Sequence, residues 1–125
     1  MFQMYGVVPP MVTPFCANGE VDYDGLKVLV EFLREHVNGL FITGSYGAGV
    51  LMTEEERRNV AEGTVKAAAG KVPVIVHVGT ADSLSAARLT DHAASAGASA
   101  VAAVGPYYFK HSKDEIYRYY DSLVT

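Results

Sequence analysis

Two short segments of this 125-residue chain carry residue types that can do chemistry. Gly44-Ser45-Tyr46-Gly47 sets a hydroxyl and a phenol between glycines, directly after an apolar run. Glycines let backbone N–H groups approach a ligand, and such a turn can cradle an anion such as a carboxylate. The same four residues also suit a plain tight turn that needs positive φ. Pro106-Tyr107-Tyr108 ends another apolar run with two phenols, which fit either a proton relay polarised by a neighbouring hydroxyl or simple packing. His77 lies among valines with no carboxylate or second histidine in its segment, and reads as a satisfied core histidine. His36, His92, His111 and Cys16 stand at no metal-ligand spacing, so no metal site is expected. Glu54-Glu55-Glu56-Arg57-Arg58 reads as a solvated first helical turn whose carboxylates favour the helix dipole. Tyr117, Tyr119 and Tyr120 sit at helical spacing and read as packing residues.

These segments need elements to hold them. Apolar runs recur at 6–15, 40–44, 73–79 and 100–107, each followed by a helical pattern. The spacing of strand starts, about 30 residues, is that of a βαβ unit. The runs are nearly continuous, as in Val74-Ile75-Val76-His77-Val78, which predicts parallel strands buried on both faces. Asp22 is placed to cap a helix with Leu26, Leu29, Val30, Leu33 and Val37 on one face. Thr53-Glu54-Glu55-Glu56 and Ser112-Lys113-Asp114-Glu115 are capping boxes, and Gly70 and Gly97 are natural helix stops. The β-α-β-α-β-α-β-α pattern fits a doubly wound open sheet or a barrel, and in both the site lies at the carboxyl ends of the strands. No glycine-rich nucleotide motif follows any strand, which weakens the nucleotide-binding version.

Composition narrows the class. The chain is 50% hydrophobic and 19% charged, which suits one compact domain over residues 1–125. A net charge of −4 with scattered Lys and Arg points to no nucleic-acid partner. The apolar runs are far short of the ~20 residues of a membrane span, so no membrane partner is expected. No basic-then-apolar leader opens the chain, and a single cysteine fits a reducing compartment, so the expected location is cytoplasmic.

Taken in order, Val12-Thr13-Pro14-Phe15, Asn18-Gly19-Glu20-Val21-Asp22, Gly44-Ser45-Tyr46-Gly47 with Leu51-Met52-Thr53-Glu54-Glu55-Glu56-Arg57, Pro73-Val74-Ile75-Val76-His77-Val78-Gly79 and Pro106-Tyr107-Tyr108-Phe109-Lys110 form a pattern. It resembles the pyruvate-dependent class I aldolases, the dihydrodipicolinate synthase and N-acetylneuraminate lyase family, over essentially the whole chain. The His-Val-Gly and Tyr-Phe-Lys details resemble the lyases more than the synthases.

The resemblance implies an α/β fold of the (β/α)₈ TIM-barrel family, with residues 1–125 as the first four βα units, the N-terminal half of one barrel domain. It implies condensation of pyruvate with an aldehyde, or the reverse cleavage, through a lysine Schiff base. The iminium takes up electrons and so acidifies the pyruvate methyl group. No further cofactor is implied. Carried over by position, the catalytic residues are Ser45, as the relay hydroxyl, and Tyr108, as a relay tyrosine that reaches into a neighbouring subunit. The substrate-binding residues are Ser45 and Tyr46, whose backbone N–H groups would hold the pyruvate carboxylate, and Pro10, which would line the pocket. The implied partners are a small 2-oxo acid (pyruvate), an aldehyde, and either further copies in a homo-oligomer or a complementary C-terminal half.

Two positions depart from the family signature. Tyr46 stands where it has a second short hydroxyl residue, and Ala48 stands where it has a glutamate. They point to a different substrate or to an acid held mainly by backbone. The family's fifth-strand tyrosine, the arginine after it and the sixth-strand lysine have no counterpart among these 125 residues. Lys27, Lys66, Lys71 and Lys113 read as helix-surface positions, and Lys110 as a solvated loop ammonium, a poor nucleophile. The expectation is an aldolase/lyase sequence that lacks its Schiff-base lysine and is inactive alone. The alternative is an inactive half-barrel acting only as a structural or assembly module.

Overall fold

The computed structural model describes residues 3–124. Three parallel strands, β1 (Leu40–Ile42), β2 (Val74–His77) and β3 (Ala100–Ala102), pair in the order β1-β2-β3. Leu40 lies opposite Val74, and Val76 opposite Val101. Helix α1 (Tyr23–Leu33) precedes β1, α2 (Glu54–Ala68) and α3 (Ser83–Ser95) lie between successive strands, and α4 (Lys113–Asp121) follows β3.

The first apolar run is not a strand. It contributes one parallel bridge, Pro10 to Phe41, on the edge of β1 away from β2. Met11 N–H donates to Phe41 O (2.8 Å) and Phe41 N–H to Pro9 O (3.2 Å). Pro9 and Pro10 have no N–H to extend that ladder, and Gly6 turns the chain at φ +76°. The spatial order follows the chain order, with the first segment beside β1. The last run is also shorter than expected. Beyond Ala102, side chains take the groups a ladder would use: Tyr120 hydroxyl donates to Ala103 O (3.2 Å), and Val104 N–H donates to His77 Nε2 (3.1 Å).

Burial on both sheet faces is likewise corrected. Leu40, Ile42, Val74 and Val76 are buried in one cluster with Leu26 and Val30 of α1, Val60 and Ala61 of α2, and Leu89 and Ala93 of α3. Phe41, Ile75, His77, Ala100 and Ala102, on the alternate positions, are only half-buried. Parallel sheets normally have both faces covered. Here helices cover one face, and no element among the described residues covers the other.

The helix boundaries follow local chemistry. Asp22 accepts from Gly25 N–H (2.8 Å) to start α1. Both capping boxes form, Thr53 with Glu56 and Ser112 with Glu115. Gly70 and Gly97 adopt positive φ where α2 and α3 stop, as a left-handed exit requires. Helix α4 buries only Tyr119, whose hydroxyl accepts from Thr80 N–H (3.0 Å) and donates to Thr80 O (3.1 Å).

Candidate active site

The turn after β1 is built by close backbone approach. Thr43 is buried with φ +57°, a costly conformation for a β-branched residue. It is held by its own hydroxyl, which lies 2.7 Å from Ile42 O and 2.8 Å from His77 O. Thr13, at the end of the first segment, donates to Gly47 O (2.7 Å) and pins the far side of the turn. Ala48 N–H and Gly49 N–H close it onto Ser45 O (3.1 Å) and Gly44 O (3.0 Å). The N–H groups of Ser45 and Tyr46 have no acceptor among the described residues. A short 3₁₀ turn, Gly49–Leu51, then leads to α2. Position 49 must be glycine, because a Cβ there would lie 1.9 Å from Thr43 O.

A cleft of about 280 Å³ opens at the carboxyl ends of the strands, lined by Thr43, Gly44, Ser45, His77, Val104 and Tyr107 among others. Behind its wall lies Arg57, 5% exposed, donating to His77 O (2.7 Å) and Gly79 O (3.2 Å). No carboxylate pairs with it among the described residues. Burial lowers its pKa, and Tyr107, Tyr119 and Glu54 act in the opposite sense. A guanidinium held this way keeps positive charge close to the cleft, which favours a small anion there. The His77 ring accepts from Val104 N–H at Nε2, so its proton is on Nδ1, and Nδ1 has no partner among the described residues. Burial and then the nearby Arg57 lower the His77 pKa, favouring the neutral ring. No group of three or more His, Cys, Asp or Glu among the described residues could hold a metal. No helix there is long and apolar enough to cross a membrane.

Of the residues singled out in the sequence, Ser45 lines this cleft. Tyr46 does not, and is 72% exposed. Tyr108 sits at φ +80° and is 88% exposed, with its ring edge-on to Phe109 and outside the cleft. Pro10 is exposed beside Phe41 and does not line the cleft either. Tyr107, which the resemblance passed over for Tyr108, supplies the phenol of the lining. Arg57 is the second residue missed: it is no part of a solvated face. Its spacing to Ala61 and Thr64, i+4 and i+7, puts it on the buried side of α2, so helical register could have found it. His77 is only half-buried and only half-satisfied, so it is a cleft residue and not a core one. All five lysines, Lys110 included, are exposed and none lines the cleft.

The chain is similar to known proteins along almost its entire length. It matches the Dihydrodipicolinate synthetase family over residues 3–125. It is 43% identical over 119 residues to the 4-hydroxy-tetrahydrodipicolinate synthase of Roseobacter denitrificans, covering 94% of this chain and 40% of the relative. It is 32% identical to the N-acetylneuraminate lyase of Rhizobium meliloti, over 97% of this chain and 41% of that one. Among solved structures, a pyruvate complex of an Escherichia coli K12 prophage protein of the dihydrodipicolinic acid synthase family superposes with a TM-score of 0.91 at 32% identity. It covers 95% of this chain and 40% of that one. The chain therefore spans about 40% of the length of the relatives it matches. The fold is that of the opening βα units of a TIM barrel, with the cleft at the strand ends where such barrels place their sites. The match over residues 3–125 and the shared fold show that this chain belongs to the dihydrodipicolinate synthetase family.

Proposed function

We propose that residues 1–125 form the N-terminal half of a pyruvate-dependent Schiff-base aldolase/lyase barrel. In this reading they supply the carboxylate cradle and part of the proton relay, while the imine-forming lysine comes from elsewhere. The observation that carries the reading is the Ser45 N–H, without an acceptor among the described residues on a cleft beside the buried Arg57, with the equally unengaged Tyr46 N–H next to it in the turn. The carboxylate of a 2-oxo acid accepts from those groups, leaving its carbonyl carbon free for an incoming amine. Ser45 Oγ passes protons between the reacting atoms and phenols. Tyr108, exposed and held at positive φ, suits a phenol delivered to a neighbouring subunit rather than to its own cleft. The departures at Tyr46 and Ala48 leave backbone as the main ligand of the acid.

The surface supports an assembled state. The chain exposes 7607 Å², roughly 1100 Å² more than a compact monomer of 13.4 kDa. That excess is of the order of one partner's share, ~800 Å², of a standard interface. Both the uncovered sheet face and the exposed Tyr46, Leu51, Tyr108 and Phe109 contribute to it. A second half, or further copies of the chain, would cover them.

Pyruvate titration of the ¹⁵N-labelled chain, assembled with the segment that follows the matched region in the Roseobacter synthase, tests the cradle. The Ser45 and Tyr46 amide resonances should shift most. Unmoved Ser45 and Tyr46 amides under saturating pyruvate would refute it.

A further inference from the structure

We propose that His77 is a positioning residue for the relay segment 105–108, acting through its Nε2 acceptor on Val104 N–H. The inference rests on the aldolase reading above and deepens it. Three observations carry it. Val104 N–H donates to Nε2 at 3.1 Å, one residue before the segment that bears Tyr107 and Tyr108. Gly79 leaves room for the contact, since a Cβ there would lie 2.9 Å and 3.0 Å from the ring and 3.1 Å from Val104 N. Tyr108 holds a strained positive φ, a conformation that persists only where the surroundings over-determine it.

The segment is gripped from two sides. Tyr120 of α4 donates to Ala103 O from the helix layer, and His77 of β2 accepts from Val104 from the open face of the sheet. The backbone of His77 is itself fixed by Arg57 and Thr43, which both donate to its carbonyl. The cleft turn, the buried guanidinium and the tyrosine loop thus meet at one residue. The acceptor exists only while Nε2 is unprotonated. The titratable and charged groups facing the ring are Arg57 from α2 and Tyr107 from the loop after β3, and β1 presents only Phe41 and Thr43. Burial and then Arg57 disfavour the imidazolium and so keep the clamp closed near neutral pH.

The test compares His77→Gln, whose amide places an acceptor where Nε2 stands, with His77→Asn, which places one only where Nδ1 stands. In the assembled barrel, His77→Gln should keep slow exchange of the Val104 amide and near-normal turnover. His77→Asn should speed that exchange and lower kcat on the order of 10–100-fold with the pyruvate KM unchanged, as expected for a displaced relay. In the unsubstituted protein the Val104 amide resonance should follow the His77 ring through its titration, a readout that needs no variant to fold. A Val104 amide indifferent to the ring, or equal behaviour of the Gln and Asn variants, overturns the proposal. If Val104 follows the ring but the barrel forms no pyruvate imine, the aldolase reading fails and the clamp stands.

Discussion

Replacing Gly49 by alanine tests the construction of the cleft turn. The added Cβ would lie 1.9 Å from Thr43 O and 2.7 Å from Thr43 C, both backbone atoms. Bringing the first contact out to even 3.0 Å needs more than 1 Å of movement. Thr43 cannot yield freely, because its hydroxyl is held against Ile42 O and His77 O and its φ is already strained. Overpacking of this kind costs about 1–3 kcal/mol, and loosening a buried hydrogen bond adds about 1 kcal/mol. Reduced freedom of the unfolded chain returns about 0.4–1 kcal/mol. The net expectation is a loss of about 1–3.5 kcal/mol, or roughly 4–14 °C in Tm for a chain of this size. Gly63→Ala is the control. Its Cβ would meet only Leu26 Cδ2, at 3.6 Å, within α2. It should gain up to about 1 kcal/mol from helix propensity. Thermal melts followed by circular dichroism compare the two on the same assembled protein. A Gly49→Ala protein that melts with the parent, or below which Gly63→Ala falls, would refute the reasoning.

Removing the Thr53 cap by Thr53→Ala should cost about 0.5–2 kcal/mol and speed amide exchange in the first turn of α2, with α3 unaffected. The His77 pKa is lowered below 6.5 in the folded state by burial and Arg57. The unfolded chain therefore binds the proton first on acidification. That contribution to stability should be complete above about pH 6.5 and decline as pH falls toward the lower folded-state pKa, as denaturant titrations across that window would show. The unassembled 125-residue chain should not scatter light as a clean monomer, because among the described residues β3 has an unpaired edge and one sheet face is open.

Local chemistry was legible in the sequence. Thr53 with Glu56, Ser112 with Glu115, Asp22 and Gly97 mark helix ends because each acts on its own backbone neighbours. The strand-end positions of Ser45 and Tyr107 followed from the same alternation of elements. What failed depends on distant partners or on counting donors. The first run was apolar enough for a strand, but Pro9 and Pro10 remove the donors, leaving one parallel bridge to β1. The last run lost its ladder to the side chains of Tyr120 and His77, which no local pattern encodes. Tyr107 and Tyr108 are neighbours with opposite fates because positive φ at Tyr108 turns its ring out of the cleft. Arg57 was misread through the charges beside it, although its helical register pointed inward.

The central claim is that these residues hold the 2-oxo acid while the amine comes from another segment. Borohydride trapping with pyruvate, followed by intact mass and peptide mapping, tests it on the 125-residue chain alone and after assembly with the later strands of the Roseobacter relative. No adduct is expected on Lys27, Lys66, Lys71, Lys110 or Lys113 in either sample, since all are exposed and outside the cleft. One reduced pyruvate is expected on a lysine of the added segment. A trapped adduct on any of the five, Lys110 above all, would contradict the claim.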